Sequence, residues 1–395
     1  MNKPFRKVIA LLLIFAVSIT FSGCWDEHEL DTLFIVTGIA IDNSQTPDQI
    51  DVTVQIGKPK SKSSSSESDS SGGQSSSVII IKTTEATALE GLKTTDRDSS
   101  RTLLFQHNQV VLFSSEFAAK GVRNRFDLFL RDNDMRMEVL LIVTAGRADQ
   151  FLTANLSQED ISGIFIARVM QDLKAVSPYL QIRLLDFASR LQEKTSSPLA
   201  PIAVLNEVDG KQNILIEGTA VFKNDRMIGK LDVEQSRGYL FTMGKVKHAS
   251  LTAQSQYGRA VFNIEKLDTK RNVTLRPDGG VKVTLSVVTS LGIGELRGFS
   301  AMNPKDLMTE LKSMAQQQIT NQISDTFAAA RSLDADIYGF GTSVYQKYPK
   351  AWESMEGDWD VLFKDIQLDI KVNVRIPQTG KVIKSLEMDV NSRAN

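Results

Sequence analysis

A single cysteine, Cys24, separates an apolar N-terminal segment from the rest of this 395-residue chain. With one cysteine, no disulfide can form within the chain, so the folded state depends on an ordinary hydrophobic core. The residues before it begin with the positively charged MNKPFRK and continue as the uncharged run VIALLLIFAVSITF. A charged start followed by a short apolar core is typical of an export signal, since a membrane-spanning helix needs about 20 apolar residues.

Ser22, Gly23 and Cys24 resemble the lipobox of bacterial lipoproteins, in which signal peptidase II cuts before a lipidated cysteine. Phe21 departs from that motif, which usually has leucine at this position. The resemblance implies that residues 1–23 are a lipoprotein signal peptide and that Cys24 becomes an N-palmitoyl and S-diacylglycerol cysteine. Two acyl chains on one residue are enough for stable anchoring in a bilayer. The alternative is an ordinary signal peptide followed by a buried thiol.

Composition places the rest of the chain among ordinary globular proteins. The 46 basic and 47 acidic side chains nearly cancel, which disfavours nucleic-acid binding. With 42% hydrophobic residues, the chain can bury large cores and is expected to form two or three domains. We therefore expect a body held to the bilayer at its N-terminus, on the extracytoplasmic face of a bacterial membrane.

Strand and helix patterns that alternate along the chain predict a mixed α/β N-terminal domain over residues 24–205. Strand patterns occur in FIVTGIAID, IDVTVQIG, SVIIIKTT, RTLLFQHNQVVLFS and MEVLLIVTAG, and the last is apolar enough to lie in a sheet covered on both faces. Helical patterns cover 85–100, SSEFAAKGVRNRFDLFLRD, about 147–156, 161–175 and 181–194. Residues 58–77 are serine-rich and predict a disordered loop, because they cannot bury enough apolar surface to offset ordering entropy.

The rest of the chain predicts a middle domain over 206–255 and a C-terminal α+β domain over 256–395, both built from antiparallel sheets and helices. Asn224-Asp225 predicts a hairpin turn, whereas the following SRGYLFTMGKV fits either a helix or a strand. VFNIEKL and VKVTLSVV predict two strands, with a turn at PDGG before the second. Asn303 and Pro304 predict the start of a long helix over 304–332.

Two further patterns belong to the C-terminal domain. Trp352 and Trp359 are seven residues apart, so on a helix they would share a face, and we expect them in the core. KDIQLDIKVNVRI alternates apolar and polar residues throughout, which predicts a half-buried strand. Sheets with one solvated face are usually antiparallel, so we expect that orientation for this strand.

The residues that could carry chemistry form no constellation. The three histidines, His28, His107 and His248, lie far apart in sequence without ligand partners at the spacing of a zinc site. The sequence has no G-x-S-x-G, no phosphate-binding G-x-x-x-x-G-K-[ST] and no H-E-x-x-H motif. We therefore expect no catalytic residues, no cofactor and no metal.

Several segments together resemble the Ger(x)C family, the lipoprotein C subunits of bacterial spore germinant receptors. They are GCWDEHELDTLFIVTGIAID, with a strand ending Gly-x-x-x-Asp; QHNQVVLFSSEFAAKGVRNRFDLFLRDNDMR, with the pair Arg131-Asp132; EGTAVFKNDRMIGKL with SRG; and DIYGFGTSVYQKYPKAWESMEGDWDVLF. These blocks follow one another over nearly the whole chain after Cys24, and the match is loosest at Phe21 and in the serine-rich segment.

The resemblance implies a non-catalytic subunit with a three-domain α+β fold, located on the outer face of the spore inner membrane. It also implies two membrane partners, the A and B subunits of the receptor, and a role in the response to nutrients through scaffolding or coupling. The alternative is a substrate-binding lipoprotein that delivers a small solute to a transporter, which calorimetry with amino acids and sugars would distinguish. A cell-wall hydrolase would need a catalytic pair, for which the sequence offers no candidate.

Overall fold

The computed structural model describes residues 32–58, 77–123, 135–156, 158–176, 179–246, 248–300 and 302–377. For residues 172–176 it describes the backbone alone. The predictions for the signal segment 1–23, for Cys24, for most of the serine-rich segment and for Arg131-Asp132 lie outside these residues. Lys58 and Ser77, which flank the serine-rich segment, are joined by a backbone hydrogen bond of 2.9 Å from the Lys58 N–H to the Ser77 carbonyl.

Nine strands of the described chain form a first, mixed sheet in the order β3-β2-β1-β5-β6-β7-β8-β9, with β4 also pairing with β1. The four strands β1, β5, β6 and β7 run parallel, and the strands outside them in that order are antiparallel to their neighbours. Their bounds are β1 Leu33–Asn43, β2 Ile50–Gly57, β3 Val78–Glu85, β4 Thr102–Leu104, β5 Val110–Ser114, β6 Leu140–Thr144, β7 Leu199–Val208, β8 Lys211–Lys223 and β9 Arg226–Leu231.

Helices cover both faces of this sheet, as the apolar pattern of β6 predicts. Leu141 and Val143 of β6 pack into one buried cluster with side chains of α1, α2 and α5, whereas Ile142 packs into a second cluster with α3 and α4. These helices are α1 Ala88–Arg97, α2 Ser115–Lys120, α3 Ala148–Leu152, α4 Ser162–Val176 and α5 Leu184–Gln192.

The prediction of one continuous strand over RTLLFQHNQVVLFS is wrong. A short 3₁₀ turn at Phe105–His107 separates β4 from β5. The turn is closed by the Asn108 N–H, which donates to the Phe105 carbonyl over 2.9 Å. The polar residues at the centre of this stretch therefore lie at the edge of the sheet, where β5 begins.

A second sheet of four strands, in the order β10-β11-β12-β13, carries the remaining helices. Its strands are β10 Ser250–Ser255, β11 Gly258–Leu275, β12 Val281–Gly298 and β13 Gln367–Arg375. The helices are α6 Val233–Thr242, α7 Pro304–Ser332, α8 Phe340–Lys347, α9 Pro349–Met355 and α10 Trp359–Lys364. Segment SRGYLFTMGKV is thus mostly helical, in α6.

The antiparallel orientation expected for β13 is wrong, although its alternation is confirmed. β13 pairs parallel to β12, with Val283 opposite Leu368 and Val287 opposite Val372. The chain leaves β12, passes through α7 to α10 and returns to the edge of the same sheet. Such a crossover of helices is the connection that joins parallel strands, whereas a short turn joins antiparallel ones.

The long helix α7 begins and ends as predicted. The Asn303 side chain accepts a hydrogen bond of 3.0 Å from the Asp306 N–H, and Pro304 occupies the first turn, where no N–H is needed. Trp352 and Trp359 are buried as predicted, but on separate helices, α9 and α10, with ring centroids 5.3 Å apart.

The predicted boundary between residues 205 and 206 lies inside β7, and β8 and β9 extend the first sheet as far as Leu231. One cluster of buried side chains runs from Val36 in the first sheet to Ile376 after β13. The observed arrangement is α+β with two sheets joined by a common core. The division into domains at 24–205, 206–255 and 256–395 remains a prediction.

Candidate functional site

The Gly-x-x-x-Asp motif of β1 fixes helix α3 against the first sheet. Asp42 is buried, and its two carboxylate oxygens accept hydrogen bonds from the N–H groups of Ala148 (2.7 Å) and Asp149 (3.0 Å). Burial raises the pKa of Asp42 above its usual value, although these donors and Arg147 act in the opposite direction. A Cβ at Gly38 would lie 2.6 Å from Leu152 Cδ2, so glycine permits the close approach of α3.

Charged side chains complete this attachment at the surface. Arg147 forms ion pairs with Asp51 and Asp149, both at 3.1 Å, and Lys82 pairs with Asp149 at 2.9 Å. Burial of Asp149 works against ionisation, but the hydrogen bonds from Arg147 and Lys82 outweigh it and lower the pKa of this carboxyl. The acids and bases of this cluster satisfy one another, which is the pattern of a structural network.

The EGTAVF and SRG segments bring α6 into close contact with β8 and α7. The hydroxyl groups of Thr219 and Ser236 are hydrogen-bonded at 2.8 Å inside the core. A Cβ at Gly238 would lie 2.1 Å from the Gln322 carbonyl oxygen and 2.2 Å from Thr326 Oγ1. The glycine therefore sets the distance between the two helices.

The DIYGFG segment folds around the buried carboxylate of Asp336. This group accepts hydrogen bonds from the N–H groups of Phe340 (3.1 Å) and Gly341 (2.8 Å) and from Trp359 Nε1 (3.3 Å). Burial raises the pKa of Asp336 to about 6, against the opposing influence of the donors. One carboxylate thus holds the start of α8 and the indole of α10 together.

Arg190 of α5 joins this loop to the first sheet. Its guanidinium donates to the carbonyl groups of Ser197 (3.1 Å) and Ile337 (2.9 Å) and to the hydroxyl of Tyr239 (2.9 Å). The Ser197 N–H donates in addition to the Asp336 carbonyl over 2.9 Å. The DIYGFG block therefore meets α5, α6 and the segment before β7 at one junction.

Two clefts lie at the edge where the parallel strands begin. The junction cleft, about 620 Å³, is lined by Arg123, Ala188, residues 190–197, Lys223, Asn224, Asp334, Asp336 and Asp360. The polar cleft, about 690 Å³, is lined by Gln106, Asn108, Gln109, Arg136, residues 138–140, Gln171, residues 179–181, Arg183, Asp186, Leu240, Gly244 and Lys245. Since β5 and β6 are parallel, the segments that precede them share one edge and contribute jointly to the polar cleft.

The polar cleft is lined on one side by the QHNQ segment, residues 106–109, and on another by residues from the second half of the chain. Asn108 is 4% exposed, and neither of its side-chain polar atoms has a hydrogen-bond partner in the described structure. Lys245, which also lines the cleft, comes from the second half of the chain, shortly after the end of α6. The sequence pattern points to neither residue by itself, because it does not show whether a side chain is buried or lacks a hydrogen-bond partner.

The histidines do not form a site. His107 lies in the 3₁₀ turn before β5, His248 precedes β10, and His28 lies outside the described residues. The described residues contain no group of three or more His, Cys, Asp or Glu side chains placed to hold a metal ion.

Comparison with known proteins assigns the chain to a family. Residues 26–205 match the family described as the spore germination protein N-terminal domain, and residues 217–380 match the family described as spore germination B3/GerAC like, C-terminal. The chain belongs to the Ger(x)C family of spore germination proteins. The expected membership is confirmed, and with it the chain is identified as a non-catalytic protein.

Relatives from Bacillus subtilis (strain 168) match over almost their full length. The putative spore germination protein YfkR is 24% identical over 98% of this chain and 100% of its own. Spore germination protein KC is 23% identical over 95% of this chain and 96% of its own. The crystal structure of the GerBC protein matches 86% of this chain and 96% of its own with a TM-score of 0.56 and 16% identity, which confirms the α+β fold.

Within the ranges that the structure describes, no helix of this Ger(x)C protein is long and apolar enough to cross a membrane.

Proposed function

We propose that this Ger(x)C protein is the C subunit of a spore germinant receptor, a lipoprotein needed for nutrient-triggered germination. It acts by scaffolding or coupling the A and B membrane subunits. The observation that carries this proposal is the junction around Arg190, where three part-buried hydrogen bonds join α5 to the segment before β7, to α6 and to the DIYGFG block. A body joined in this way suits the transmission of contacts between partners better than the opening and closing of a solute-binding cleft.

The proposed anchor is Cys24, carrying the N-palmitoyl and S-diacylglycerol groups. Thr32, where the described structure begins, follows Cys24 by eight residues, which span at most about 28 Å when fully extended. Under this proposal the start of β1 stays close to the bilayer, on the extracytoplasmic face of the spore inner membrane. The clefts lie at the sheet edge where β1 begins, so they would face toward the region of the membrane subunits.

A test of the anchor and of the partners uses the full chain expressed together with A and B subunits. We expect the wild-type protein to lose residues 1–23, to carry acyl chains on Cys24 by mass spectrometry, and to co-purify with A and B from solubilised membranes. Cys24→Ala should accumulate as an unprocessed precursor, because a methyl group cannot accept the thioether-linked lipid. Ser22→Ala keeps a small residue before the cysteine and serves as the matched control, with normal processing.

Two results would count against this function. Normal processing and membrane retention of Cys24→Ala would end the lipoprotein proposal. Recovery of the wild-type protein from membranes without A or B subunit would contradict the scaffolding role, even with Cys24 fully acylated.

A further inference from the structure

The polar cleft is lined by Asn108, whose buried side-chain amide has no hydrogen-bond partner among the described residues. Both Oδ1 and Nδ2 of Asn108 are buried and lack hydrogen bonds within the described structure. An unpaired buried polar group is destabilising, so such groups are rare in folded proteins. A side-chain amide offers two donors and one acceptor oxygen. A ligand amide can pair with it, because the ligand carbonyl can accept from Nδ2 or the ligand N–H can donate to Oδ1.

The cleft is also lined by Lys245, whose ammonium forms no ion pair with any residue that the structure describes. Arg183 pairs with Asp186 at 2.9 Å and lies 3.9 Å from Glu138, so the acids of the cleft are engaged there. No carboxylate among the described residues lies within 4.0 Å of the Lys245 ammonium. Desolvation lowers the pKa of Lys245, and the neighbouring Arg190 and Arg271 add to this, while Asp186 opposes them. An anion at this position would relieve the repulsion among the cationic groups.

We propose that the polar cleft binds a carboxylate adjacent to an amide, with the carboxylate neutralising Lys245 and the amide paired to Asn108 once the buried Asn108 side chain turns into the cleft. A peptide C-terminus and a small amide-bearing acid share this chemistry. The cleft volume of about 690 Å³ falls within the usual range of ligand sites, about 300–1,000 Å³. Asn108 precedes β5 of the first sheet and Lys245 follows α6, so the ligand bridges the two halves of the chain. This inference goes beyond the proposed function, which stands without it.

The test measures saturation-transfer NMR on the full-length lipoprotein in detergent micelles, with N-acetylglycine as the minimal probe. N-acetylglycine carries the amide and the carboxylate together. Acetate lacks the amide, and N-acetylglycinamide lacks the carboxylate. We expect N-acetylglycine to bind at least tenfold more tightly than either. Equal affinities for the three probes, or no binding of any, would overturn the proposal.

Two further probes distinguish the sources of this chemistry. Acetyl-triglycine presents a peptide C-terminus, and L-glutamine is a free amide-bearing acid. Tighter binding of acetyl-triglycine than of N-acetylglycine assigns the cleft to a peptide end, whereas tighter binding of L-glutamine assigns it to a free small molecule. Either order supports the shared chemistry.

Two substitutions in the polar cleft test which residues bind N-acetylglycine. Asn108→Leu replaces the amide with an apolar group of similar size, and Lys245→Met removes the charge while keeping the stem. We expect each to weaken N-acetylglycine binding at least tenfold. Lys312→Met, on the exposed side of α7, is the matched control and should bind as the wild type does. Because this amide has no hydrogen bond to lose within the described structure, the melting temperature of Asn108→Leu should stay the same or rise.

Three results would refute the assignment of these residues. Unchanged binding in both variants would place any probe elsewhere. A clear fall in the melting temperature of Asn108→Leu would mean that the amide already has a partner, such as an ordered water. If Asn108→Leu fails to fold, Lys245→Met still decides the question, because the exposed Lys245 side chain can be replaced without disturbing the core.

Discussion

Asp336 has surroundings that both favour and oppose its ionisation. Backbone N–H groups and an indole donate to the carboxylate, which favours the charge, while complete burial removes the water that would solvate it. Burial prevails and raises the pKa of Asp336 from 3.8 to about 6. The folded protein therefore holds this proton more tightly than the unfolded chain does.

The stability of the protein should accordingly depend on Asp336 in mildly acidic solution. The stabilising contribution of the protonated group is fully present below pH 3.8 and is lost as the pH rises through about 6. The full change amounts to about 3 kcal/mol. Urea unfolding between pH 4 and 8 should show the wild type losing stability relative to Asp336→Asn as the pH rises, with no further change above pH 7. A difference between the two proteins that stays constant with pH would contradict this.

The helix pair α6–α7 depends on the absence of a side chain at Gly238. Seen from α6, the backbone of Gln322 and the hydroxyl of Thr326 occupy the place of a Cβ, and the Thr326 hydroxyl also donates to the Gln235 carbonyl over 2.7 Å. A methyl group here could be accommodated only by moving the two helices apart.

Gly238→Ala should therefore reduce the free energy of unfolding by about 3 kcal/mol, because the contact is with backbone atoms that cannot rotate away. Gly357→Ala is the control, since a Cβ at Gly357 would meet nothing within 4 Å. Its effect should stay within about 0.5 kcal/mol. Chemical denaturation of both variants checks the difference, and equal stabilities would show that the helices can separate without cost.

The sequence predicted elements whose signals are local. The strand β2 and the Asn303-Pro304 start of α7 appear in the structure at the predicted positions, although Thr53 and Gln55 of β2 are buried along with its apolar residues. The pattern of SRGYLFTMGKV fits either a helix or a strand, because α6 is buried nearly all round, at Ser236 and again from Gly238 to Thr242. A helix buried in this way has no amphipathic pattern. The direction of β13 depends on the path of the chain through α7 to α10, which its own residues do not encode.

Less of the candidate site than of the fold could be predicted from the sequence. QHNQ and DIYGFG belong to the segments that carry the family resemblance, so their importance could be predicted. The burial of the Asn108 amide arises from the packing of loops at the start of parallel strands, and the hydrogen bond from Trp359 to Asp336 depends on the packing of α10 against the loop before α8. The cleft position of Lys245 depends on α6 packing beside the first sheet, a contact between residues far apart in sequence.

Across the whole molecule, the two sheets behave as parts of one body. They share a single cluster of buried side chains, and Arg190 of α5 donates three hydrogen bonds, to the segment before β7, to the loop before α8 and to α6. The continuous core predicts that the wild type unfolds in one transition. Far-UV circular dichroism follows all helices and strands, whereas tryptophan fluorescence in a Trp25→Phe background comes from the Trp352–Trp359 pair and follows the region of α9 and α10.

Arg190→Met should weaken this connection while keeping the apolar stem of the side chain. Two carbonyl groups and a tyrosine hydroxyl lose a charged donor, and hydrogen bonds to charged groups contribute about 1.5–3 kcal/mol each. We expect the free energy of unfolding to fall by about 3 kcal/mol and the fluorescence transition to move to lower urea than the circular dichroism transition. Arg97→Met, at an exposed ion pair on α1, should leave both transitions together. If Arg190→Met shows coincident transitions with unchanged midpoints, the shared core alone joins the two sheets. The junction around Arg190 would then not support the proposed coupling role.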